Sequence, residues 1–452
     1  MDNTINYFKE ISTIPRESGN ENEIANYIVE FAKKNKLEYK KDNNNNVIIK
    51  RYIDNKEPII LQAHLDMVCE KDDIEFDFKK DPIEVIEENG YLKANHTTLG
   101  ADNGIGVAQI LNIFENTNCS IEAIFTTQEE TTMDGSINID LRDLKGQEMI
   151  NLDGFSSDTI LIESASFTDI DILFKNSFIN ENNNFYEIKL SGLDGGHSGT
   201  EIDNNKGNSI KLLSELLSNI EDIQIASFTG GTKINVIPNS SKAIIKTNKN
   251  IKEIINTFIK NNKNNYKKLT ITTNKTINTY KTLSKEDTKL FLNSLNNITH
   301  GVINKNKRGV TTSSNLAQVD LEKGIIRIGL RSSNSKEREK AIKELDKICN
   351  NYKYQLNITG YQPGFNTNEN TNLIKELIDS YKDINNTSPK IESIHVSVEA
   401  GIIKEKIPNL EVAIISPNII GAHTTSEKVE IDSIFKCNKW LLNYLNKNTN
   451  NC

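Results

Sequence analysis

The sequence predicts an α/β protein into which a second, α+β domain is inserted. Three observations support this fold class. The first part of the chain alternates between helical and strand-like apolar spacing, the middle part changes to longer strand-like runs, and the last part returns to the first pattern. With 452 residues, the chain is long enough for more than one domain. We expect the first domain in residues 1–167 and 364–452, and the inserted domain in residues 168–363.

The elements of the first domain are short and alternate in type. Helical apolar spacing predicts helices over residues 21–35 and 106–116. Apolar or β-branched runs predict four short strands, over residues 46–50, 58–62, 122–127 and 148–152. Together these elements indicate a mixed sheet flanked by helices. In such a sheet, functional residues gather at the strand ends.

The inserted domain follows another pattern. Its strand-like runs are residues 170–174, 186–190, 234–238 and 243–246. Helical stretches over residues 208–219 and 251–261 interleave with these runs, as is typical of an α+β sandwich. After a turn over residues 361–364, the first domain is expected to resume with a helix and two strands. These elements are residues 371–382, 391–396 and 411–415.

Charge and composition exclude several classes of partner. The net charge is -8 and no basic block occurs, so a small molecule or peptide is a better expected partner than nucleic acid or an anionic membrane. No signal-peptide pattern opens the sequence, and no apolar run is long enough to span a bilayer. The cysteines lack C-x-x-C spacing, which predicts neither a thiolate zinc site nor a disulfide framework and fits a reducing cytoplasm. They are Cys69, Cys119, Cys349, Cys437 and Cys452.

The first motif is an apolar strand that ends in a histidine and an aspartate. His64 and Asp66 are two residues apart, so on a strand they share one face. A carboxylate that accepts one ring N–H of an imidazole leaves the other nitrogen free to bind a metal. Taken alone, the pair could equally be an isolated hydrogen bond at the end of a strand.

The second motif is a glycine-rich turn that carries Asp102 directly before a helix. Glycines allow backbone and carboxylate to approach an ion closely. Asp102 could instead be an ordinary helix N-cap, or the turn could bind phosphate. The Gly-Lys-Ser/Thr sequence of a phosphate-binding loop is absent.

Three further motifs place acids or a histidine after other strands. Glu129 and Glu130 follow the strand predicted over residues 122–127, and alone they could be a solvated acidic pair. Asp153 follows the next apolar strand, and His423 follows a late one. Five separate motifs therefore each offer a metal ligand.

This set of residues satisfies the needs of two metal ions about 3.5 to 4 Å apart. Two histidines and three carboxylates can ligate, provided that one carboxylate bridges, and they suit zinc, although manganese or cobalt is also compatible. The additional carboxylate can take a proton from water as the water attacks a carbonyl, and can return it to the departing amine. That chemistry is amide hydrolysis.

The motifs, in this order, resemble the zinc exopeptidase and amidohydrolase family that includes carnosinases, tripeptidases and acetylornithine deacetylase. The resemblance extends from Ile14 to His423 and implies a zinc-exopeptidase-like catalytic domain with an inserted lid domain. It implies two Zn²⁺ per subunit, one held by His64 and Asp153 and the other by Glu130 and His423. Asp102 would bridge the ions, Glu129 would be the general base and Asp66 would orient His64. The family also suggests a cis peptide bond between Asp102 and Asn103.

The resemblance further implies three substrate-binding residues in the lid. His197 would polarise the scissile carbonyl, and Asn235 and Arg331 would hold the substrate carboxylate. Each could instead be an ordinary turn or strand residue.

The expected function is metal-dependent hydrolysis of dipeptides, including Xaa-His, by a cytoplasmic homodimer. A tripeptidase or an N-acyl amino-acid deacylase of the same family is an alternative. A non-catalytic peptide-binding protein is an alternative from another class, although the complete set of ligands with Glu129 argues against it.

Overall fold

The computed structural model describes residues 2–53, 56–181 and 184–447. The chain forms two compact units. Of the described residues, the first contains 2–53, 56–163, 365–393 and 398–447, and the second contains 164–181, 184–364 and 394–397. Cys452, one of the five cysteines considered above, lies outside the described residues. Within the described ranges, no helix is long and apolar enough to cross a membrane.

The first unit is built on an eight-stranded sheet. In spatial order, its strands are Glu38–Lys41, Val47–Arg51, Ile121–Thr126, Ile59–His64, Glu148–Asn151, Glu411–Ile414, Thr159–Ser164 and Lys390–Ile394. The central four strands pair in parallel. The helices of this unit are Thr4–Ser12, Asn22–Lys34, Ala101–Asn116, Asp134–Asn138, Asn372–Asn385, Glu399–Lys406 and Ile431–Lys447. The predicted mixed sheet flanked by helices is therefore confirmed.

Both faces of this sheet are buried, which explains the continuous apolar character of its central strands. Along Ile59–His64, Leu61 and Ala63 pack into one apolar cluster and Ile60 packs into another. Since side chains alternate along a strand, Gln62 and His64 share the face of Ile60. A buried polar row thus leads along that face to the end of the strand.

A smaller sheet of four strands completes the first unit. In spatial order, these are Ile419–Ile420, Lys428–Glu430, Tyr91–Lys93 and Ile86–Glu88. It was not predicted from the sequence, because strands of two or three residues leave little periodic signal.

The second unit has a larger antiparallel sheet. Its strands, in spatial order, are Thr270–Thr276, Phe185–Ser191, Ser241–Lys246, Gln224–Gly230, Gly309–Asp320, Ile325–Ser332, Ser166–Leu173 and Gln355–Gln362, and Gly301–Asn306 also pairs with Gly309–Asp320. Two ribbons accompany it, Ile179–Glu181 with Tyr280–Thr282 and Gly196–His197 with Val236–Ile237. The strand predicted over residues 234–238 is therefore only two residues long.

Four helices accompany the sheet of the second unit. They are Ser209–Ser218, Ile251–Asn262, Lys285–Asn297 and Ser335–Asn351. Each begins after a polar N-cap whose side chain accepts hydrogen bonds from backbone N–H groups of the first turn. The caps are Asn208, Asn250, Ser284 and Asn334. Three of the four helices in this unit therefore begin after an asparagine cap.

Candidate metal centre

The predicted metal ligands come together at one edge of the first unit's sheet. The four parallel strands all run towards this edge, so the segments that follow them meet there. Asp66 follows Ile59–His64, Glu129 and Glu130 follow Ile121–Thr126, and Asp153 follows Glu148–Asn151. His423 lies in the loop after Ile419–Ile420.

Asp102 lies between the two histidines. Its Oδ1 is 3.2 Å from His64 Nε2, and its Oδ2 is 3.1 Å from His423 Nε2. Asp102 itself is 5% exposed. One carboxylate therefore presents a separate oxygen to each imidazole, which is the arrangement expected of a ligand shared by two ions.

Each histidine has a further carboxylate beside it. Asp153 Oδ1 is 3.9 Å from His64 Nε2, and Glu130 Oε1 is 3.0 Å from His423 Nε2. The ligand atoms of His64, Asp102 and Glu130 lie within 4.8 Å of one another. The structure thus brings together all five predicted metal ligands, grouped around Asp102.

Asp66 contacts several parts of this cluster. Its Oδ1 is 3.4 Å from His64 Nδ1, on the ring side opposite Asp102. The backbone N–H groups of Glu129 and Glu130 donate to its two oxygens at 3.0 and 3.2 Å, and Ser18 Oγ donates at 2.6 Å. The Asp66 carboxylate therefore holds the acidic loop, and His64 Nδ1 contacts both this carboxylate and the Asp66 carbonyl oxygen, the latter at 3.1 Å.

The cluster has an excess of buried negative charge. Burial raises the pKa of Glu129 well above its usual range, and the Asp153, Glu399 and Glu130 carboxylates add to this effect. Burial also raises the pKa of Asp153, with Asp102 as the next cause. Hydrogen bonds to Asp102 and Glu130 raise the pKa of His423 to about 11. Carboxylates held this close together are stabilised by protonation or by a bound cation.

The donor set fits a pair of divalent ions. Imidazole nitrogens and carboxylate oxygens are ligands for zinc, and the oxygen-rich set also suits manganese or cobalt. Within the described part of the chain, the buried Glu130 Oε1 accepts no hydrogen bond apart from its 3.0 Å contact with His423 Nε2. Such an oxygen is free to ligate a metal, so the residues present fit the group that the sequence predicted.

Two buried residues that the sequence analysis did not select hold the turn around Asp102. Glu427 accepts hydrogen bonds from the backbone N–H groups of Leu99, Gly100 and Asp102 at 2.8, 2.9 and 3.2 Å. From the opposite side, Arg16 donates to the carbonyl oxygen of Gly100. The peptide bond after Asp102 is cis, as the resemblance implies.

Arg16 also joins this turn to the strand that carries His64. Its Nη1 donates to the carbonyl oxygens of Leu65 and Asp66, each at 3.0 Å. A Cβ at Gly100 would lie 2.4 Å from Arg16 Nη2, and one at Gly104 would lie 2.6 Å from it. The glycines of the turn are therefore explained by the close approach of this guanidinium.

The three predicted substrate-binding residues lie in the second unit and are close to one another. His197 Nε2 is 3.5 Å from Arg331 Nη2, and Asn235 accepts a hydrogen bond through its carbonyl oxygen from the N–H of Ser198. Burial, followed by the Arg331 charge, lowers the pKa of His197 to about 4. His197 is thus neutral at neutral pH, and Arg331, 4% exposed, packs over the ring of Phe167.

Comparison with known proteins gives consistent matches. The family model described as peptidase family M20/M25/M40 matches residues 60–447. The chain is 30% identical to the cytosol non-specific dipeptidase of Escherichia coli (strain K12) over 453 residues, covering 94% of this chain and 93% of the relative.

Solved structures agree with this match. The aminoacylhistidine dipeptidase of Vibrio alginolyticus superimposes with a TM-score of 0.87 at 27% identity, covering 98% of this chain and 96% of that one. The aminopeptidase PepT of Bacillus cereus shares the fold, with a TM-score of 0.59 at 14% identity over 99% of this chain and 98% of that one.

Replacement of Glu427 tests whether its hydrogen bonds stabilise the turn around Asp102. Glu427→Ala leaves three backbone N–H groups without their acceptor, so we expect it to lower the free energy of unfolding of the metal-free protein by about 3 kcal/mol. Urea unfolding followed by circular dichroism measures this loss. Glu430→Ala is the control, since the Glu430 side chain accepts a hydrogen bond from Asn418 Nδ2 and its removal should cost about 1 kcal/mol. Equal losses for the two variants would contradict the assignment.

Proposed function

The chain belongs to peptidase family M20/M25/M40, and we propose that it hydrolyses dipeptides with two zinc ions per subunit. The observation that carries the proposal is the position of Asp102, with one oxygen towards each of His64 and His423. The similarity to the Escherichia coli dipeptidase, over almost the whole of both chains, supports a dipeptide substrate. The structural match to an aminoacylhistidine dipeptidase supports the inclusion of Xaa-His dipeptides.

We propose that His64 and Asp153 hold one ion and that Glu130 and His423 hold the other, with Asp102 shared. When bound, the ions would supply Lewis acidity, which polarises the scissile carbonyl and makes water more acidic. Zinc is the proposed metal because the two imidazoles favour it over magnesium or calcium.

Glu129 is the proposed general base. It accepts a proton from water as the water oxygen bonds to the carbonyl carbon, and then donates this proton to the nitrogen as the C–N bond breaks. The products are two free amino acids. Asp66 supports both parts of this chemistry, because it contacts His64 Nδ1 and receives the Glu129 N–H.

His197, Asn235 and Arg331 are the proposed substrate-binding residues. A guanidinium pairs with a carboxylate through two parallel hydrogen bonds, which suits Arg331 to the carboxylate of a dipeptide. The neutral imidazole of His197 can donate a hydrogen bond to the oxygen of the scissile carbonyl as it gains charge. Asn235 would add an amide donor to the carboxylate.

We also propose a cytoplasmic location and a homodimer. The location is supported by the similarity to a cytosolic enzyme. The homodimer is supported by the strand Gln355–Gln362, which ends the strand order of the second unit's sheet and exposes Ile358 and Tyr361.

Replacement of Glu129 tests the proposed base. Glu129→Gln keeps the size of the side chain but cannot take up a proton, so we expect kcat to fall about 10² to 10⁴-fold while two metal ions per subunit remain bound. Steady-state kinetics and elemental analysis of the same sample measure both quantities. Asp134→Asn, an exposed change at the first residue of the helix that follows this loop, is the control and should keep normal turnover. Intact turnover in Glu129→Gln would refute this mechanism.

A substrate panel tests the proposed activity. We expect free amino acids from dipeptides, including a Xaa-His dipeptide, and little release from tripeptides or N-acetylated amino acids. Removal of metal with a chelator should abolish turnover, and added Zn²⁺ should restore it. Faster cleavage of tripeptides or acetylated amino acids would favour the alternative activities. Absence of both bound metal and activity would refute the proposed function.

Sedimentation velocity tests the proposed homodimer. We expect the mass of two chains for the wild type and of one chain for Ile358→Lys, because a buried lysine at a strand pairing is unfavourable. Lys340→Glu, an exposed change on the helix Ser335–Asn351, serves as a charge-change control and should stay dimeric. A wild type with the mass of one chain would contradict the proposal.

A further inference from the structure

A row of buried side chains connects Glu399 to the segment that carries Asp153. Gln62 and Asn151 are opposite each other on adjacent parallel strands and are 0% and 1% exposed. Gln62 Nε2 donates to Glu399 Oε2 at 2.9 Å, and Asn151 Nδ2 donates to Gln62 Oε1. At the other end, the backbone N–H of Asp153 donates to Asn151 Oδ1 at 3.0 Å. Glu399 therefore reaches Asp153 through two amides.

The orientation of the two amide groups in this row is fixed by the hydrogen-bonding groups at its two ends. A backbone N–H only donates, so Asn151 must turn its oxygen towards Asp153. The Glu399 oxygen accepts, so Gln62 must turn its NH₂ group towards Glu399. Reversal of either amide would place two donors or two acceptors face to face in a buried site, at a cost for each unpaired group.

The same oxygen of Glu399 also holds the strand that leads to the acidic loop. Thr126 Oγ1 donates to Glu399 Oε2 at 2.6 Å, and Gln62 Nε2 also lies 3.1 Å from Thr126 Oγ1. Thr126 ends its strand and lies opposite His64 in the parallel register. Glu399 is the first residue of the helix Glu399–Lys406 and is 1% exposed.

We propose that Glu399 is a positioning residue that holds Asp153 through Gln62 and Asn151 and thereby sets the affinity for the ion beside His64. This inference rests on the metal site proposed above. Outer hydrogen-bonding partners of metal ligands typically change metal affinity about 10 to 100-fold when they are replaced. Glu399 acts on the proposed metal centre from the sheet face that carries Ile60, through Gln62 and Asn151 rather than through the substrate.

The first experiment compares two replacements of Glu399. Glu399→Leu removes the acceptor, so we expect about 10 to 100-fold weaker binding of one of the two Zn²⁺ ions, measured by competition with a chromophoric chelator. Glu399→Gln retains an oxygen that can accept from Gln62 and Thr126, and its metal affinity should stay within a few-fold of the wild type. At saturating Zn²⁺, KM should be unchanged in both variants.

A matched control separates positioning from loss of stability. Glu122 is also a fully buried carboxylate on this sheet, and it accepts hydrogen bonds from Tyr52 and from the N–H groups of Lys145 and Gly146. Both Glu122→Leu and Glu399→Leu should lower the unfolding midpoint in urea, but Glu122→Leu should leave both Zn²⁺ affinities unchanged.

A double-mutant cycle tests whether Glu399 and Asn151 act through the same row of hydrogen bonds. Because Glu399 and Asn151 act through one row, the variant with both Glu399→Leu and Asn151→Leu should bind Zn²⁺ no more weakly than the weaker single variant. Additive losses would overturn the inference, and so would wild-type affinity in Glu399→Leu. A KM raised equally in Glu399→Gln and Glu399→Leu would show that Glu399 contacts substrate instead. A wild type that binds no Zn²⁺ would overturn the proposed function itself, and the inference with it.

Discussion

The contact of one carboxylate with two imidazoles is the constraint on which the first unit depends. Asp102 meets His64 and His423, which lie on opposite sides of the second unit in the sequence. For both contacts to form, the backbone of the turn around Asp102 must be held in one conformation. Arg16 binds its carbonyl side and Glu427 binds its amide side. The glycines, the buried guanidinium and the buried glutamate all follow from this requirement.

The charge of the centre explains why polar groups are buried beneath it. Carboxylates at the strand ends cannot be desolvated without partners, because an unpaired buried charge is highly unfavourable. Asp66 receives a hydroxyl and two backbone N–H groups, and Glu399 receives a hydroxyl and an amide. The strand face that carries Ile60 therefore changes from apolar to polar side chains as it approaches the edge with the proposed metal ligands.

The sequence predicted the fold class and the residues that approach one another at this edge. Motifs such as His64 to Asp66 are visible because ligand, strand and turn are adjacent in the chain. Arg16 and Glu427 were not selected, because they bind backbone atoms of residues that are distant in sequence. The asparagine run before Val47 gives no local sign of burial, yet Asn46 is buried and accepts a hydrogen bond from the N–H of Thr127. Such contacts depend on tertiary packing and leave no local pattern.

The order of the ligands along the chain also has a consequence for biosynthesis. His423 and Glu427 are translated after the entire second unit, whereas His64, Asp102, Glu130 and Asp153 precede it. A ribosome-bound chain therefore carries an incomplete ligand set while the second unit forms, and the strand Glu411–Ile414 has not yet joined the sheet. The proposed metal centre can be completed only after the last strands have been translated. A nascent chain therefore lacks the complete set of proposed metal ligands until His423 has been translated.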